Sequence, residues 1–227
     1  MTLLRFFSST IGKKFLVAIT GLFMVFFLLL HLAGNLEIFA GPEPINQYSE
    51  FLRSMPKLLW TFRIALLASV IIHIWATISL SNTNRHARPQ KYHLKRSRKA
   101  SLVSRTMMVS GITVLVFIAY HLAHYTLGIT NPELMKLMDD QGRHHVYNMM
   151  VMGFSHPLVS SFYVAAQILL ACHLSHGVSS AARTFGVIDR VIYGRIRILG
   201  ITFATLIALL YISIPASVLM GLIPLDY

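Results

Sequence analysis

The chain has 227 residues and a formal net charge of +12, yet only 12% of its residues are charged and 55% are hydrophobic. A soluble domain of this length usually carries about twice that charged fraction, so the composition excludes a soluble globular enzyme. The single cysteine, Cys172, excludes a disulfide framework, a Cys-ligated cluster and a covalent c-type haem site.

Five apolar segments follow one another along the chain, and each is long enough to cross a bilayer as an α-helix. They are rich in Leu, Ile, Val and Phe, and none reads as a strand. We predict an all-α integral membrane protein with a single domain over residues 1–227 and no cleaved signal, linker or repeat. Four spans would form a bundle with the fifth outside it. The predicted spans cover about residues 15–36, 58–80, 107–128, 157–181 and 198–219.

Charge is distributed unevenly between the segments that connect these spans. Fifteen of the twenty basic residues lie before the first span, between the second and third, or between the fourth and fifth, whereas seven of the eight acidic residues lie on the other side. The positive-inside rule predicts a cytoplasmic N-terminus and a C-terminus outside. We call these two sides inner and outer. The basic run 85–105 follows from topology alone, and it also suits docking of an acidic cytoplasmic partner.

Histidine occurs in each of the first four spans and is absent from the fifth. An ionisable residue inside a membrane is costly and marks a functional site. A lone membrane histidine more often forms an interhelical hydrogen bond, but histidines on four helices favour iron ligands, and haem b takes two axial ligands from opposite sides. The six histidines are His31, His73, His121, His124, His173 and His176.

Depth sorts these histidines into two levels. We measure depth along each helix, at about 1.5 Å per residue, from the basic residue nearest the inner end of that span. On this scale His31 and His121 lie about 25 and 24 Å deep. His73 and His173 lie about 18 and 15 Å deep. We therefore predict an outer pair from the first and third spans and an inner pair from the second and fourth, which is the pattern of two stacked bis-histidine haems.

His124 and His176 lie one turn along the same helix faces and match the two levels less well. They either contact a haem edge or a propionate, or cap a polar cavity.

Short motifs spread over nearly the whole chain carry a family resemblance. They are His31-Leu-Ala-Gly-Asn-Leu36, Phe39-Ala-Gly-Pro42, Asn46-Gln-Tyr48, Trp60-Thr-Phe-Arg63, His73-Ile-Trp75, Asn84-Arg-His-Ala-Arg-Pro89, Tyr120-His-Leu-Ala-His124, His173-Leu-Ser-His-Gly177 and Thr184-Phe-Gly186. With these motifs the sequence resembles the cytochrome b membrane-anchor subunit of succinate dehydrogenase/fumarate reductase, in its single-chain, five-helix, two-haem form (the cytochrome b558 type).

The resemblance implies a subunit of the bacterial inner membrane that binds two haem b groups and exchanges electrons with a quinone, expected to be menaquinone. Its partners on the cytoplasmic side would be an iron–sulfur subunit and a flavoprotein that carries FAD. The isolated chain would have no activity toward succinate or fumarate. The family's four ligand histidines match His31, His73, His121 and His173. Arg183 stands where many relatives have glutamine, and it could serve a haem propionate.

A quinone site is expected at the outer level, because electrons that enter from the cytoplasmic side reach the inner haem first. Glu50 is the preferred proton carrier, in a predicted interfacial helix over residues 46–52. Arg63 would pair with Glu50 or polarise a quinone carbonyl, and Asn46 is a third candidate. The alternative is that all three are ordinary interfacial polar residues.

Two other functions compete with this one. The chain could be the dihaem cytochrome b subunit of a hydrogenase or formate dehydrogenase, although such a subunit usually receives electrons from outside. It could also be a small permease whose histidines relay protons or bind a metal ion, without haem.

Overall fold

The computed structural model describes residues 3–87 and 107–226, and within these ranges the protein is helical and contains no strand. The all-α prediction is therefore confirmed. Two short 3-10 helices, Glu37–Ala40 and Leu134–Lys136, connect longer elements. The α-helices are α1 (Leu3–Ser8), α2 (Thr10–Leu36), α3 (Pro42–Arg53), α4 (Pro56–His86), α5 (Met107–Tyr125), α6 (Val146–Phe154), α7 (Pro157–Thr184) and α8 (Arg190–Leu219).

Five of these helices are long and apolar enough to cross a membrane: α2, α4, α5, α7 and α8. They correspond to the five predicted spans, which confirms a multi-pass membrane protein. Their boundaries differ in places from the prediction. The second spanning helix, α4, continues to His86, and the fifth, α8, begins at Arg190. Both differences arise because a helix can extend past its apolar core into polar residues. By contrast, α5 ends at Tyr125, shortly before Gly128 turns the backbone with a φ of 63°.

Local signals explain where the helices begin. The Ser9 side chain accepts a hydrogen bond from the Gly12 amide and caps α2. Asp189 accepts from the Ile192 amide at 2.8 Å, which fixes the start of α8 well before its apolar run. Proline occupies the first turn of α3, α4 and α7, where its missing N–H costs nothing.

The spanning helices pack through small residues and expose large apolar ones. α7 packs against α8, α5 and α2, and α2 also packs against α4. Ala76 and Ala204 are fully buried, as expected where helices approach closely in a membrane. On α4 the side chains of Ile64, Leu67 and Ile71 are 58–63% exposed and form one stripe. A stripe of this kind suits contact with lipid.

Helices α3 and α6, with the chain between residues 134 and 145, form what we call the outer platform. Asn46 of α3 is 2% exposed and holds this platform together. Its amide nitrogen lies 3.3 Å from Nδ1 of His145, and its oxygen accepts from the Tyr147 amide. The ring of Tyr48 packs directly over Gly34 of α2, so the platform covers the outer end of that helix.

A cluster of ion pairs joins α3 to the segment that precedes α6 at the edge of the platform. Arg143 donates to both carboxylate oxygens of Glu43, at 2.9 and 2.6 Å, and to Asp139 at 2.8 Å. The hydrogen bond from Arg143 lowers the pKa of Glu43. Burial works to raise the pKa of Asp139, but hydrogen bonds from Arg143 and from the Gln141 amide outweigh it and the net pKa is lowered. Both carboxylates are therefore charged at neutral pH.

Candidate functional site

The four histidines predicted as ligands form two pairs in the structure. The ring centres of His31 on α2 and His121 on α5 lie 5.7 Å apart. Those of His73 on α4 and His173 on α7 lie 6.4 Å apart. Each pair joins helices that are not consecutive among the spans, and the partners are those expected from depth.

These separations fit one iron between the two rings of each pair. An imidazole nitrogen binds a transition metal at about 2 Å and lies about 1 Å from the ring centre, so two axial rings have centres about 6 Å apart. No group of three or more His, Cys, Asp or Glu residues in the described ranges is arranged to hold a metal ion. The porphyrin of a haem supplies the other four nitrogen ligands, so a pair of histidines is all that this protein would need to contribute.

Each inner histidine contacts a hydroxyl group from another helix. Nδ1 of His73 lies 3.1 Å from Oγ1 of Thr20 on α2. Nδ1 of His173 lies 3.3 Å from the Oγ of Ser110 on α5. Because Nδ1 is engaged in both rings, Nε2 is the nitrogen left for a ligand.

The outer pair has a different environment, dominated by aromatic rings. Phe27 stacks on His31 and Phe117 stacks on His121, each one turn before its histidine. The hydroxyl of Tyr163 on α7 lies 3.3 Å from Nδ1 of His121 and 3.2 Å from Nδ1 of His124. A phenol can donate to one of these nitrogens and accept from the other, and so bridge the two rings.

This bridge bears on the choice of ligand on α5. If His121 offers Nε2 to iron, its Nδ1–H donates to Tyr163, whose hydroxyl then donates to Nδ1 of His124. His124 would in that case carry its own hydrogen on Nε2 and could not bind a metal there. The ring of His124 is also 1% exposed and packs on Tyr125, which suits a buried structural role.

The other predicted haem contacts lie at the inner end of α7. His176 is half-buried on α7, one turn beyond His173. Arg183 is exposed, and its guanidinium stacks on the Tyr193 ring at 3.9 Å. Arg183, Tyr193 and Arg190 line a shallow groove between α7 and α8. A contact from His176 or Arg183 to a haem edge or propionate stays a prediction.

The predicted quinone residues are placed at the outer end but do not form one cluster of contacts. Asn46 is engaged inside the outer platform, where it also lies 3.4 Å from Asp139. Glu50 is exposed on α3, and its carboxylate has no ion-pair partner in the described part of the chain. The guanidinium of Arg63 lies over the Trp60 ring at 5.2 Å instead. The predicted helix over 46–52 lies within α3. A quinone role for these residues stays a prediction.

Most of the basic run 85–105 lies outside the described residues. Arg85 is described, in the last turn of α4. The residues of this run outside the description are Arg88, Lys91, Lys95, Arg96, Arg98, Lys99 and Arg105. The structure therefore does not bear on the docking role of the run.

Sequence reasoning missed the hydroxyl partners, although a signal for them exists. Helix α2 contains Thr20-Gly21, then Phe27 and His31-Leu-Ala, and α5 contains Ser110-Gly111, then Phe117 and His121-Leu-Ala, at identical spacings. The two helices therefore share a short pattern of residues. This pattern places a hydroxyl at the inner level and a histidine at the outer level on each of the two helices.

Comparison with known proteins gives no match: no protein-family model, no curated protein and no solved structure matches this chain.

Proposed function

We propose that this chain is a dihaem cytochrome b that anchors a succinate dehydrogenase or fumarate reductase in the membrane and passes electrons between its iron–sulfur subunit and quinone. The observation that carries the proposal is the presence of two histidine pairs, with ring centres 5.7 and 6.4 Å apart, contributed by four different spanning helices. The family resemblance supplies the choice of complex.

The chain's own residues would bind and insulate the two redox centres. His73 and His173 would hold the inner haem b, and His31 and His121 the outer one. When bound, each haem supplies a one-electron redox centre. The phenylalanines stacked on the outer histidines and the apolar faces of the helices would keep water away. The protein then contributes position and electrostatics, and it makes no bond to succinate or fumarate.

Charge supports the proposed orientation, and the family resemblance supplies the proposed cytoplasmic partners. The inner ends of the described spans carry Lys13, Lys14, Arg85 and Arg183, whereas the outer platform contains paired acids. We propose a cytoplasmic N-terminus in a bacterial inner membrane, with the iron–sulfur subunit and its FAD-carrying flavoprotein docked at the inner end.

An optical spectrum tests the proposal directly. The purified full chain should give a reduced-minus-oxidised difference spectrum with the alpha band of haem b, and a haem-to-protein ratio near two. A haem-free permease would give no such band. A dihaem chain that copurifies with a hydrogenase or formate dehydrogenase would support the competing redox function instead.

Quinone chemistry is proposed at the outer level, where α3 packs over the end of α2 close to His31. Glu50 on that helix is exposed, which places its carboxylate where a proton carrier between quinone and water would have to lie. In the assembled complex, Glu50→Gln should abolish quinone-linked turnover while both haems and dye-linked succinate oxidation persist. Unchanged quinone turnover would remove Glu50 from the site.

A further inference from the structure

The hydroxyl contacts of the inner pair are not needed to explain why the four histidines converge. Resting on the proposed function, we propose that Thr20 and Ser110 are positioning residues that hold His73 and His173 in one tautomer, with each Nε2 free to bind iron. The tautomer of each ring depends on where the hydroxyl hydrogen of its partner goes.

The Thr20 hydroxyl has one hydrogen, and that hydrogen is already engaged. Oγ1 of Thr20 donates to the Leu16 carbonyl at 2.6 Å within its own helix. Toward Nδ1 of His73, 3.1 Å away, the same oxygen can then only accept. With the hydroxyl hydrogen on the Leu16 carbonyl, the ring carries its own hydrogen on Nδ1. The Val17 carbonyl is a further hydrogen-bond acceptor for His73.

Ser110 repeats this arrangement on α5. Its Oγ donates to the Met107 carbonyl at 3.1 Å and lies 3.3 Å from Nδ1 of His173. The serine oxygen accepts from this ring too. A neutral imidazole has one N–H, so both inner rings keep the lone pair on Nε2.

A glycine lies next to each hydroxyl residue, and the ring of the contacted histidine lies over it. A β-carbon at Gly21 would come 3.4 Å from Cε1 of His73, and one at Gly111 would come 3.5 Å from Cε1 of His173. Both distances are ordinary van der Waals contacts, so each ring lies directly against the helix that carries its hydroxyl partner. The same two-residue unit therefore occurs twice, on different helices and against different histidines.

Hydroxyl groups that bond to their own helix are common in this protein, but they do not explain the histidine contacts. Thr113 donates to the Val109 carbonyl at 3.0 Å and Ser69 to the Ala65 carbonyl at 2.8 Å. Neither contacts a histidine in the described part of the chain. Thr113 is on the same helix as Ser110 and provides a matched control.

The first test measures the tautomers of His73 and His173 in the haem-free protein. The full chain, made haem-free and labelled with ¹⁵N-histidine, is compared with Thr20→Val and Ser110→Ala by solid-state NMR. Wild type should show protonated Nδ1 and unprotonated Nε2 for His73 and His173. Each variant should give a mixture of tautomers at the histidine it contacts, and Thr113→Val should match wild type.

The second test reads the inner haem. A ligand histidine that loses its partner becomes less basic, so both variants should raise the midpoint potential of the inner haem and leave the outer one unchanged. Loss of an outer-shell partner typically weakens binding by about 10- to 100-fold, so the inner haem should also be retained less well. Thr20→Ser and Ser110→Thr keep the hydroxyl and should restore wild-type behaviour.

The outcomes separate this inference from the proposed function. A wild-type chain that binds no haem overturns the proposed function, and the tautomer measurement still stands by itself. Nitrogen shifts and inner-haem potentials that are identical in wild type, Thr20→Val and Ser110→Ala overturn the positioning role. An equal change in Thr113→Val also overturns it, because the effect would then follow any lost hydroxyl.

Discussion

The inner and outer histidine pairs have similar spacing but different surroundings. Each inner ring has its own aliphatic hydroxyl partner, one from α2 and one from α5. In the outer pair, His121 shares the Tyr163 hydroxyl with His124, and His31 is stacked on Phe27. The inner level is thus symmetric, whereas the outer level is asymmetric and adjoins the platform.

Ring spacing and ring environment are therefore set separately. The spacing depends on where four helices place one histidine each. The environment depends on what lies one or two turns away on the facing helix. If both levels bind haem, the two groups would have unequal affinities and potentials despite identical ligand types.

The largest effect is expected from removing a ligand. His73→Ala or His173→Ala should lower the haem content from two to one per chain, with loss of the inner haem only. His31→Ala or His121→Ala should remove only the outer haem. Haem content and difference spectra of the purified variants measure this. His124→Ala is the control, and the choice of ligand on α5 is wrong if this variant loses a haem while His121→Ala keeps both.

The asymmetry of the outer level predicts a smaller effect for Tyr163→Phe. This change removes the bridge between His121 and His124, so the outer haem should be bound about 10- to 100-fold less tightly and the inner haem should be unaffected. The fraction of each haem retained during dilution measures the binding of the outer and the inner haem. Tyr125→Phe is a matched control, since the Tyr125 hydroxyl has no hydrogen-bond partner among the described residues. Equal losses in the two variants would argue for packing rather than bridging.

The contact between platform and bundle can be broken at Gly34. A β-carbon at this position would overlap the Tyr48 ring, so Gly34→Ala must displace that ring or shift α3 with it. Overpacking of this kind typically costs about 1–3 kcal/mol. Thermal unfolding in detergent measures the loss. Gly194→Ala on α8, where an added β-carbon meets nothing within 4 Å, should not destabilise the protein. A Gly34→Ala protein of wild-type stability, with the Tyr48 ring and the platform both unmoved, would contradict this contact.

The smallest effect concerns pH. Glu43 and Asp139 have pKa values below the ordinary 4.5 and 3.8, so their ion pairs stabilise the platform above those values and are lost as pH falls through the lowered ones. Hydrogen exchange of amides 139–148 should therefore stay constant from neutral pH to about pH 5, after correction for intrinsic rates, and accelerate in stronger acid. Arg143→Met should exchange faster already at neutral pH. Identical pH profiles for the two proteins would exclude Arg143 as the cause.

The sequence was sufficient for the spans and for the pairing of the histidines. The spans and the histidine pairing both depend on how far along a membrane-crossing helix each residue lies. This depth can be calculated from residue numbers. Which atoms meet around each ring could not be read in this way. Tyr163 faces His121 because of how α7 is rotated against α5, and side-chain packing between helices sets that rotation.

The platform was predicted least well. The sequence predicts the helix over 46–52, which is part of α3. It does not predict α6, because α6 has too few apolar residues to span a membrane and is capped by His145, not by one of the common N-cap residues. Polarity and position alone make Asn46 a quinone candidate. Its burial, and its bonds to His145 and to the Tyr147 amide, depend on a segment about a hundred residues later.

The division of each histidine pair between the two halves of the chain has a consequence for biosynthesis. His31 and His73 are synthesised first, and their partners are on α5 and α7. Because chains emerge from the ribosome N-terminus first, the outer pair becomes complete when α5 enters the membrane, and the inner pair only when α7 follows. A ribosome stalled between these two helices would leave a nascent chain with one finished site and one half-site.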